Sequence, residues 1–207
     1  MSKILIVDDD PSIRAVVKIL LSKTGHDVIE APGGGEALEL LENILPDLIL
    51  LDIMMPRLDG WETLNRIRWD ERFKSIPVAM LTAKPLTPEI LARKEINELV
   101  DYIQKPFTKE KLLRKIDKSL IEDLEQIDET KSKMVASKEG RDKIREYEIA
   151  ARSERLHKSL KSTLNEVLDK PDSLFNISEI EEAIETQDKA VDMFKKHRKS
   201  IEKSLKD

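Results

Sequence analysis

The stretch Lys-Ile-Leu-Ile-Val-Asp-Asp-Asp at residues 3–10 places a short apolar run directly before three carboxylates. The stretch Asp-Leu-Ile-Leu-Leu-Asp at residues 47–52 repeats this arrangement with one carboxylate at its end. An uninterrupted apolar run of this length is typical of a strand that is buried on both faces, as in a parallel sheet. Both stretches therefore predict buried strands of a parallel sheet, with acidic residues at their carboxyl ends.

The residues around these two strands alternate between short apolar runs and stretches with helical spacing. We predict strands at 3–7, 27–29, 47–51, 77–81 and 100–103, and helices at 11–23, 35–43 and 59–69, with two more that start near residues 87 and 109. Successive strand–helix units are typical of α/β proteins with a doubly wound sheet. We therefore expect a five-stranded parallel sheet with helices on both faces.

The chain changes character after about residue 108, where strand patterns disappear. Apolar residues then recur every three or four positions along 113–127, 144–167 and 180–205, and Gly140 separates the first two stretches. Residues 169–173 predict a turn, and Ser178 with Glu181 forms a capping-box pattern. We expect an all-α helical hairpin or bundle here, and divide the chain into domains 1–122 and 123–207.

The composition excludes several classes of protein. The 207 residues include no cysteine, which excludes disulfide frameworks, cysteine zinc sites, iron–sulfur clusters and cysteine nucleophiles. Apolar runs reach only about five residues, against the roughly 20 of a membrane-spanning helix, and the N-terminus lacks a signal-peptide pattern. With 37% charged residues and a net charge of -5, we expect a cytoplasmic protein without membrane contact.

Charge is unevenly distributed in the helical half. Residues 131–161 hold ten basic and five acidic side chains, residues 166–192 hold two and nine, and residues 193–206 hold six and one. Opposite blocks of this kind can pair with one another along neighbouring helices. The alternative is a basic surface for an acidic partner such as nucleic acid.

Several polar side chains follow the predicted strands and should meet at one edge of the sheet, because parallel strands share their carboxyl edge. Clustered carboxylates repel one another and need a cation. Oxygen ligands without histidine or cysteine favour a hard ion, above all Mg²⁺. The side chains expected at this edge are Asp8, Asp9 and Asp10 after the first strand, Asp52 after the third, Thr82 at the end of the fourth and Lys105 after the fifth.

These residues lie in five motifs: ILIVDDD at 4–10, LILLDIMMP at 48–56, LDG at 58–60, PVAMLTA at 77–83 and YIQKPF at 102–107. In this order the motifs resemble the receiver domain of two-component response regulators, over residues 1 to about 120. The resemblance implies a flavodoxin-like fold and a cognate histidine kinase as partner. It also implies a phosphoacceptor signalling protein rather than an enzyme, with only self-catalysed phosphotransfer and autodephosphorylation.

The resemblance gives four of these residues a role around the metal. It implies that Asp52 is the phosphoacceptor, a carboxylate nucleophile that forms an aspartyl phosphate. Asp9, Asp52 and the main-chain carbonyl of Met54 would bind Mg²⁺ directly, and Asp8 would assist through water. The metal would offset charge on the incoming phosphoryl group.

Three further residues receive roles in sensing the phosphoryl group. Lys105 would pair with a phosphoryl oxygen as a point charge. Thr82 would hydrogen-bond the phosphoryl group once it arrives, and Tyr102 would swing inward behind it. Such a local charge event biases a two-state surface, which in receivers is the fourth helix, fifth strand and fifth helix.

The helical half is compatible with three functions. Long apolar stripes favour a protein-interaction module that forms a homodimer or binds a partner protein. The basic stretches at 141–161 and 195–199 are compatible with a DNA-binding output without the strands of a winged helix. Residues 156–168 resemble the phosphoacceptor helix of histidine kinases, with His157 one residue out of register and the usual proline missing. His157 is therefore either a phosphotransfer residue or a surface histidine on a basic helix.

Overall fold

The computed structural model describes residues 1–136, 139–168 and 176–204, and the side chains of residues 117–120 lie outside the description. The chain divides into two compact units, Met1–Arg114 and Lys115–Asp207. We call them the N-terminal unit and the helical unit. The predicted folding boundary after residue 122 stays a prediction, because compactness alone does not test which fragment folds by itself.

The N-terminal unit confirms the predicted alternation of strands and helices. Its strands are all parallel and lie in the order β2-β1-β3-β4-β5, which is a doubly wound five-stranded sheet. The elements are β1 (Lys3–Val7), α1 (Pro11–Ser22), β2 (Asp27–Ala31), α2 (Gly34–Leu41), β3 (Leu48–Leu51), α3 (Gly60–Trp69), β4 (Val78–Thr82), α4 (Pro88–Leu91), β5 (Asp101–Gln104) and α5 (Lys109–Leu113).

The central strands form the core of this unit. Every residue of β3 and β4 is buried, as are residues 4–7 of β1. Burial on both faces explains why these strands are uninterrupted apolar runs rather than alternating patterns. The acidic residues that follow the runs are thereby held at the carboxyl edge of a rigid sheet.

Helix α4 is shorter than the other helices that flank the sheet. It makes a single turn and is followed by a 3-10 turn at Lys94–Glu98. Thr87 caps it, because its hydroxyl accepts a hydrogen bond from the Ile90 amide at 3.4 Å. Pro85 lies just before this element and Pro88 lies in its first turn; proline lacks an amide donor and restricts the residue before it.

The helical unit confirms the predicted all-α architecture, and no strand occurs among its described residues. Helical backbone continues after α5 as a π-helical stretch at Arg114–Ile121. The long helices are α6 (Glu122–Ala136), α7 (Arg141–Leu168) and α8 (Ile177–Lys203). Helix α7 packs on both α6 and α8, and side chains of all three form a buried cluster: Ile127, Met134, Tyr147, Ala151 and Ile201.

Two boundary predictions in this unit have different outcomes. The capping box at Ser178 and Glu181 is wrong, because α8 begins at Ile177 and its cap is Asn176, whose Oδ1 accepts from the Ser178 amide at 3.1 Å. Asparagine caps a helix as well as serine does, and Asn176 stands two residues before Ser178. The predicted turn at 169–173 lies outside the described residues.

None of the described helices combines the length and the apolar character that crossing a membrane requires.

Candidate functional site

The two acidic strand ends meet at the carboxyl edge of the sheet. Strands β1 and β3 are neighbours with Val7 opposite Leu51, and the Asp52 amide donates to the Val7 carbonyl at 2.9 Å. This register places Asp8 beside Asp52. Carboxylate oxygens of Asp8, Asp9 and Asp52 all lie within 4.8 Å of one another. Asp8 and Asp52 are 1% and 4% exposed, whereas Asp9 faces solvent.

Lys105 reaches this cluster from the neighbouring part of the sheet. Its ammonium Nζ lies 2.5 Å from Asp8 Oδ2 and 2.8 Å from Asp52 Oδ2. The backbone positions it, because the Lys105 amide donates to the Thr82 carbonyl at 2.7 Å and so ties the end of β5 to β4. The predicted meeting of these three side chains is what the structure shows.

The charges in this cluster do not balance. Burial raises the pKa of Asp8 above its usual value, although the Lys105 ammonium opposes that rise. Burial by itself would lower the pKa of Lys105, but the carboxylates of Asp52 and Asp8 outweigh it and raise that pKa. Lys105 therefore stays charged, and among the described residues it is the one cation that forms an ion pair with a carboxylate of this cluster. A hard cation with oxygen ligands fits this surplus.

The loop after β3 holds the Asp52 carboxylate in place. The Met54 amide donates to Asp52 Oδ1 at 3.2 Å, so the Met54 backbone lies at the carboxylate, while its side chain is largely exposed. Gly60 closes this loop, and a Cβ there would lie 2.2 Å from the Asp52 carbonyl oxygen. Only glycine permits this approach, which explains the glycine of the LDG motif.

Thr82 and Tyr102 are both buried and both contact the backbone of Lys84. The Thr82 Oγ1 accepts from the Lys84 amide at 3.2 Å, and the Tyr102 hydroxyl donates to the Lys84 carbonyl at 2.7 Å. Burial, and then the charge of Asp52, raise the pKa of Tyr102. Tyr102 thus already occupies an inward position in this structure.

Residues 4–117 match the family model described as the response regulator receiver domain. This chain belongs to the response regulator receiver family. The family model ends at residue 117, so helices α6–α8 lie outside the matched segment.

Curated relatives match the receiver domain. The DNA-binding dual master transcriptional regulator RpaA of a Synechocystis strain is 40% identical over 116 residues, which is 56% of this chain and 48% of that protein. Protein PilG of Pseudomonas aeruginosa is 42% identical over 114 residues, covering 54% of this chain and 82% of PilG. This chain thus spans about half the length of RpaA and most of that of PilG.

Solved structures agree on the receiver fold. The chemotaxis protein CheY4 of Vibrio cholerae aligns with a TM-score of 0.53 at 33% identity, covering 57% of this chain and 98% of CheY4. The response regulator TrrA of Thermotoga maritima, solved in complex with Mg²⁺ and BeF, aligns with a TM-score of 0.50 at 32% identity, covering 57% and 98%. Both support the doubly wound receiver fold for the N-terminal unit.

Two residues of the receiver site were not singled out from the sequence. Arg14, in the second turn of α1, donates to the carbonyls of Asp8 at 2.7 Å and Asp9 at 3.2 Å and so fixes the acidic loop. Lys84 contributes only its backbone, for which its side-chain type gives no signal. Asp10 caps α1 by accepting from the Ser12 amide at 2.7 Å, and that bond lowers its pKa. Asp10 therefore stands apart from the metal group.

His157 lies outside the receiver domain, in the contact between α7 and α8. Its Nδ1 lies 2.6 Å from Gln187 Oε1, and its ring stacks on Phe194 with centroids 5.5 Å apart. It is half-buried, so the interpretation as a plain surface histidine is wrong. Its packing stabilises the pair of helices, and a phosphotransfer role stays an untested prediction.

Proposed function

We propose that this chain is a cytoplasmic response regulator whose receiver domain accepts a phosphoryl group on Asp52 from a cognate histidine kinase. The observation that carries the proposal is the charge surplus at the sheet edge, where the three carboxylates of Asp8, Asp9 and Asp52 face the single ammonium of Lys105. A site with a spare carboxylate and an accessible side suits a divalent cation together with a phosphoryl donor.

The residues present fit Mg²⁺ in the receiver site. Asp9, Asp52 and the Met54 carbonyl would bind the ion, and Asp8 would act through water. When bound, the ion offsets the negative charge of the phosphoryl group. The main-chain contact between Met54 and Asp52 supports this donor set, because it keeps the Met54 backbone beside the carboxylate.

In the proposed phosphotransfer Asp52 is the nucleophile, and Lys105 is a cation that changes its hydrogen-bond partner. An Asp52 carboxylate oxygen attacks phosphorus; the new O–P bond forms as the bond between phosphorus and the donor's leaving atom breaks, and the leaving atom keeps that electron pair. Lys105, which now donates to Asp8 and Asp52, moves one donor to a phosphoryl oxygen and compensates the added charge.

The signal then passes through Thr82 and Tyr102. A phosphoryl group on Asp52 accepts a hydrogen bond from the Thr82 hydroxyl, whose oxygen in this structure accepts from the Lys84 amide. Movement of the hydroxyl towards the phosphoryl group changes its bond to Lys84. Because Tyr102 holds the Lys84 carbonyl, a shift of that backbone changes both contacts together. The short α4 follows directly, so the α4–β5–α5 surface would report the phosphorylation state.

The helical unit would serve as the protein-interaction or dimerisation module through which the receiver signals. The residues of its long helices support a stable scaffold, with a core shared by α6, α7 and α8. We keep domains 1–122 and 123–207 as the proposed functional division. A protein partner or a second copy of the chain is the proposed target.

The test is phosphorylation by acetyl phosphate with Mg²⁺, followed by the mass of the intact protein. We expect the wild type to gain one phosphoryl group, and Asp52→Asn and a sample with EDTA to gain none. Asp27→Asn, which removes an exposed carboxylate of β2, is the matched control and should behave as wild type. Full labelling of Asp52→Asn, or labelling without a divalent cation, would overturn the assignment.

A further inference from the structure

The basic residues in the middle of α7 form ion pairs inside the helical unit. Arg152 pairs with Glu148 at 2.8 Å, Lys158 with Glu154 at 2.6 Å and Lys161 with Asp188 at 2.5 Å. The last of these pairs joins α7 to the acidic part of α8. These pairs neutralise residues 152–161, so this part of α7 is a poor candidate for binding an acidic partner. Arg141 and Arg145, at the start of the helix, are exposed and form no ion pair with a described residue.

The last turns of α8 are different. Lys195, Lys196, Lys199 and Lys203 are exposed, and none of the four forms an ion pair with any residue that the structure describes. Arg198, in the same turns, forms ion pairs with Glu154 at 2.8 Å and with Glu202 at 2.5 Å. The four lysines thus carry uncompensated positive charge, and we call them the lysine face.

Helix geometry makes these four residues one surface. At 3.6 residues per turn their side chains fall within an arc of about 100°, and the stretch from the first to the last is about 12 Å long. Ile201 is buried and Phe194 half-buried on the other side of the same turns. The lysine face therefore points to solvent, and no apolar side chain lies within it.

We propose that the lysine face binds the phosphate backbone of duplex DNA without reading its sequence. Each strand of a duplex carries one phosphate per about 3.4 Å of axis, so a 12 Å stripe of cations spans about four phosphates of one strand. Lysine is a point charge that suits phosphate and lacks the fork with which arginine reads guanine. The absence of apolar groups in the stripe disfavours insertion into a membrane surface.

The acidic part of α8 limits the contact to one end of the helix. Residues 179–192 carry exposed carboxylates that repel phosphate, among them Glu181, Glu182 and Asp192. Binding is therefore expected to be weak, in the range of about 10⁻⁴ to 10⁻⁶ M that is usual for non-specific contacts. The inference goes beyond the receiver chemistry and does not depend on Asp52.

The experiment measures fluorescence anisotropy of a labelled mixed-sequence duplex as the full chain is added, at several salt concentrations. The logarithm of the affinity is expected to fall with the logarithm of salt with a slope of about -3.6, since each phosphate contact contributes about -0.9. The triple variant Lys196→Gln, Lys199→Gln, Lys203→Gln should lower the slope to about -0.9 and lose most of the affinity.

A control triple variant removes the same charge elsewhere. Lys74, Lys133 and Lys189 are exposed and each pairs with a glutamate three or four residues away; changing them to Gln should leave the slope and affinity close to wild type. Circular dichroism establishes that both triple variants are folded. Equal losses in the two variants, no duplex binding at low salt, or binding only to phosphatidylserine vesicles would each overturn the proposal.

Discussion

Each unit of this protein contains a buried cluster of carboxylates and cations, and the two clusters differ in their balance. In the receiver domain Lys105 pairs with Asp8 and Asp52, and the exposed Asp9 lies beside them. In the helical unit, Glu154 is 3% exposed and accepts from Lys158 at 2.6 Å and from Arg198 Nε at 2.8 Å. The first cluster has spare negative charge, and in the second every charge has a partner.

This difference separates a reactive site from a structural one. Burial would raise the pKa of Glu154, but the bonds from Arg198 and Lys158 outweigh it and hold that pKa below its usual value. Each charge of this cluster has a partner of opposite charge, so the cluster does not need a bound ion. In the receiver domain burial raises the pKa of Asp8, so burial disfavours its ionised form and a further cation would favour it.

The largest expected effect comes from breaking the balanced cluster. Arg198→Ala should leave the buried Glu154 carboxylate short of a partner and reduce the free energy of unfolding of the helical unit by about 3 kcal/mol or more. Urea denaturation followed by circular dichroism measures this. Glu154→Leu with Arg198→Leu should recover most of the loss, because apolar replacement of a buried pair is often neutral. A double variant as unstable as the single one would show that the charges themselves are needed.

The next effect lies in the unbalanced cluster and should spare stability. Asp9→Asn removes one proposed Mg²⁺ ligand from an exposed position, so we expect phosphorylation by acetyl phosphate to slow about a hundredfold with an unchanged unfolding midpoint. Glu39→Gln, which removes an exposed carboxylate of α2, is the control and should keep the wild-type rate. Phosphorylation of Asp9→Asn at that same rate would contradict the role given to Asp9.

Removing Lys105 should increase the excess of negative charge in the receiver site. Lys105→Ala should tighten Mg²⁺ binding about tenfold, equivalent to about 1.4 kcal/mol, because it removes the cation that competes for Asp8 and Asp52. Isothermal titration calorimetry gives the affinity, with Lys23→Ala as a control that removes an exposed lysine outside the receiver site. Weaker binding in Lys105→Ala would mean that the lysine helps to assemble the metal site.

Acid should act on the two clusters with opposite sign, and this is the smallest effect. The pKa of Glu154 is lowered from 4.5, so its contribution to stability is present above that value and is lost as pH falls through the folded-state pKa. The pKa of Asp8 is raised from 3.8, so it contributes stability below that value that is lost as pH rises through the folded-state pKa. Unfolding curves of Glu154→Gln and Asp8→Asn against pH, each compared with wild type, measure both contributions.

The sheet and the acidic edge were predictable because both depend on local rules. Buried strands appear in the sequence as apolar runs, and parallel strands bring the residues after them to one edge, which predicts that Asp8, Asp52 and Lys105 lie together. The inward position of Tyr102 depends on the Lys84 carbonyl, a backbone group that the sequence does not mark.

The ion pairs within the helical unit could not be predicted from local rules. The segregated charge blocks predicted either ion pairs within the unit or a basic surface. Which lysines form ion pairs depends on the register of α7 against α8. That register sets Lys161 against Asp188 and Glu154 against Arg198, and leaves Lys199 unpaired among the described residues. The cap at Asn176 was missed because two adjacent cap patterns compete and local spacing does not rank them.

The most direct test of the central claim is to map the phosphorylated residue. The chain is treated with acetyl phosphate and Mg²⁺, the aspartyl phosphate is reduced with borohydride, and the modified peptide is sequenced by mass spectrometry. We predict modification at Asp52 alone. Modification spread over other carboxylates, or an acid-labile phosphate on His157 with Asp52 unmodified, would contradict the view that the surplus of carboxylates marks the reactive site.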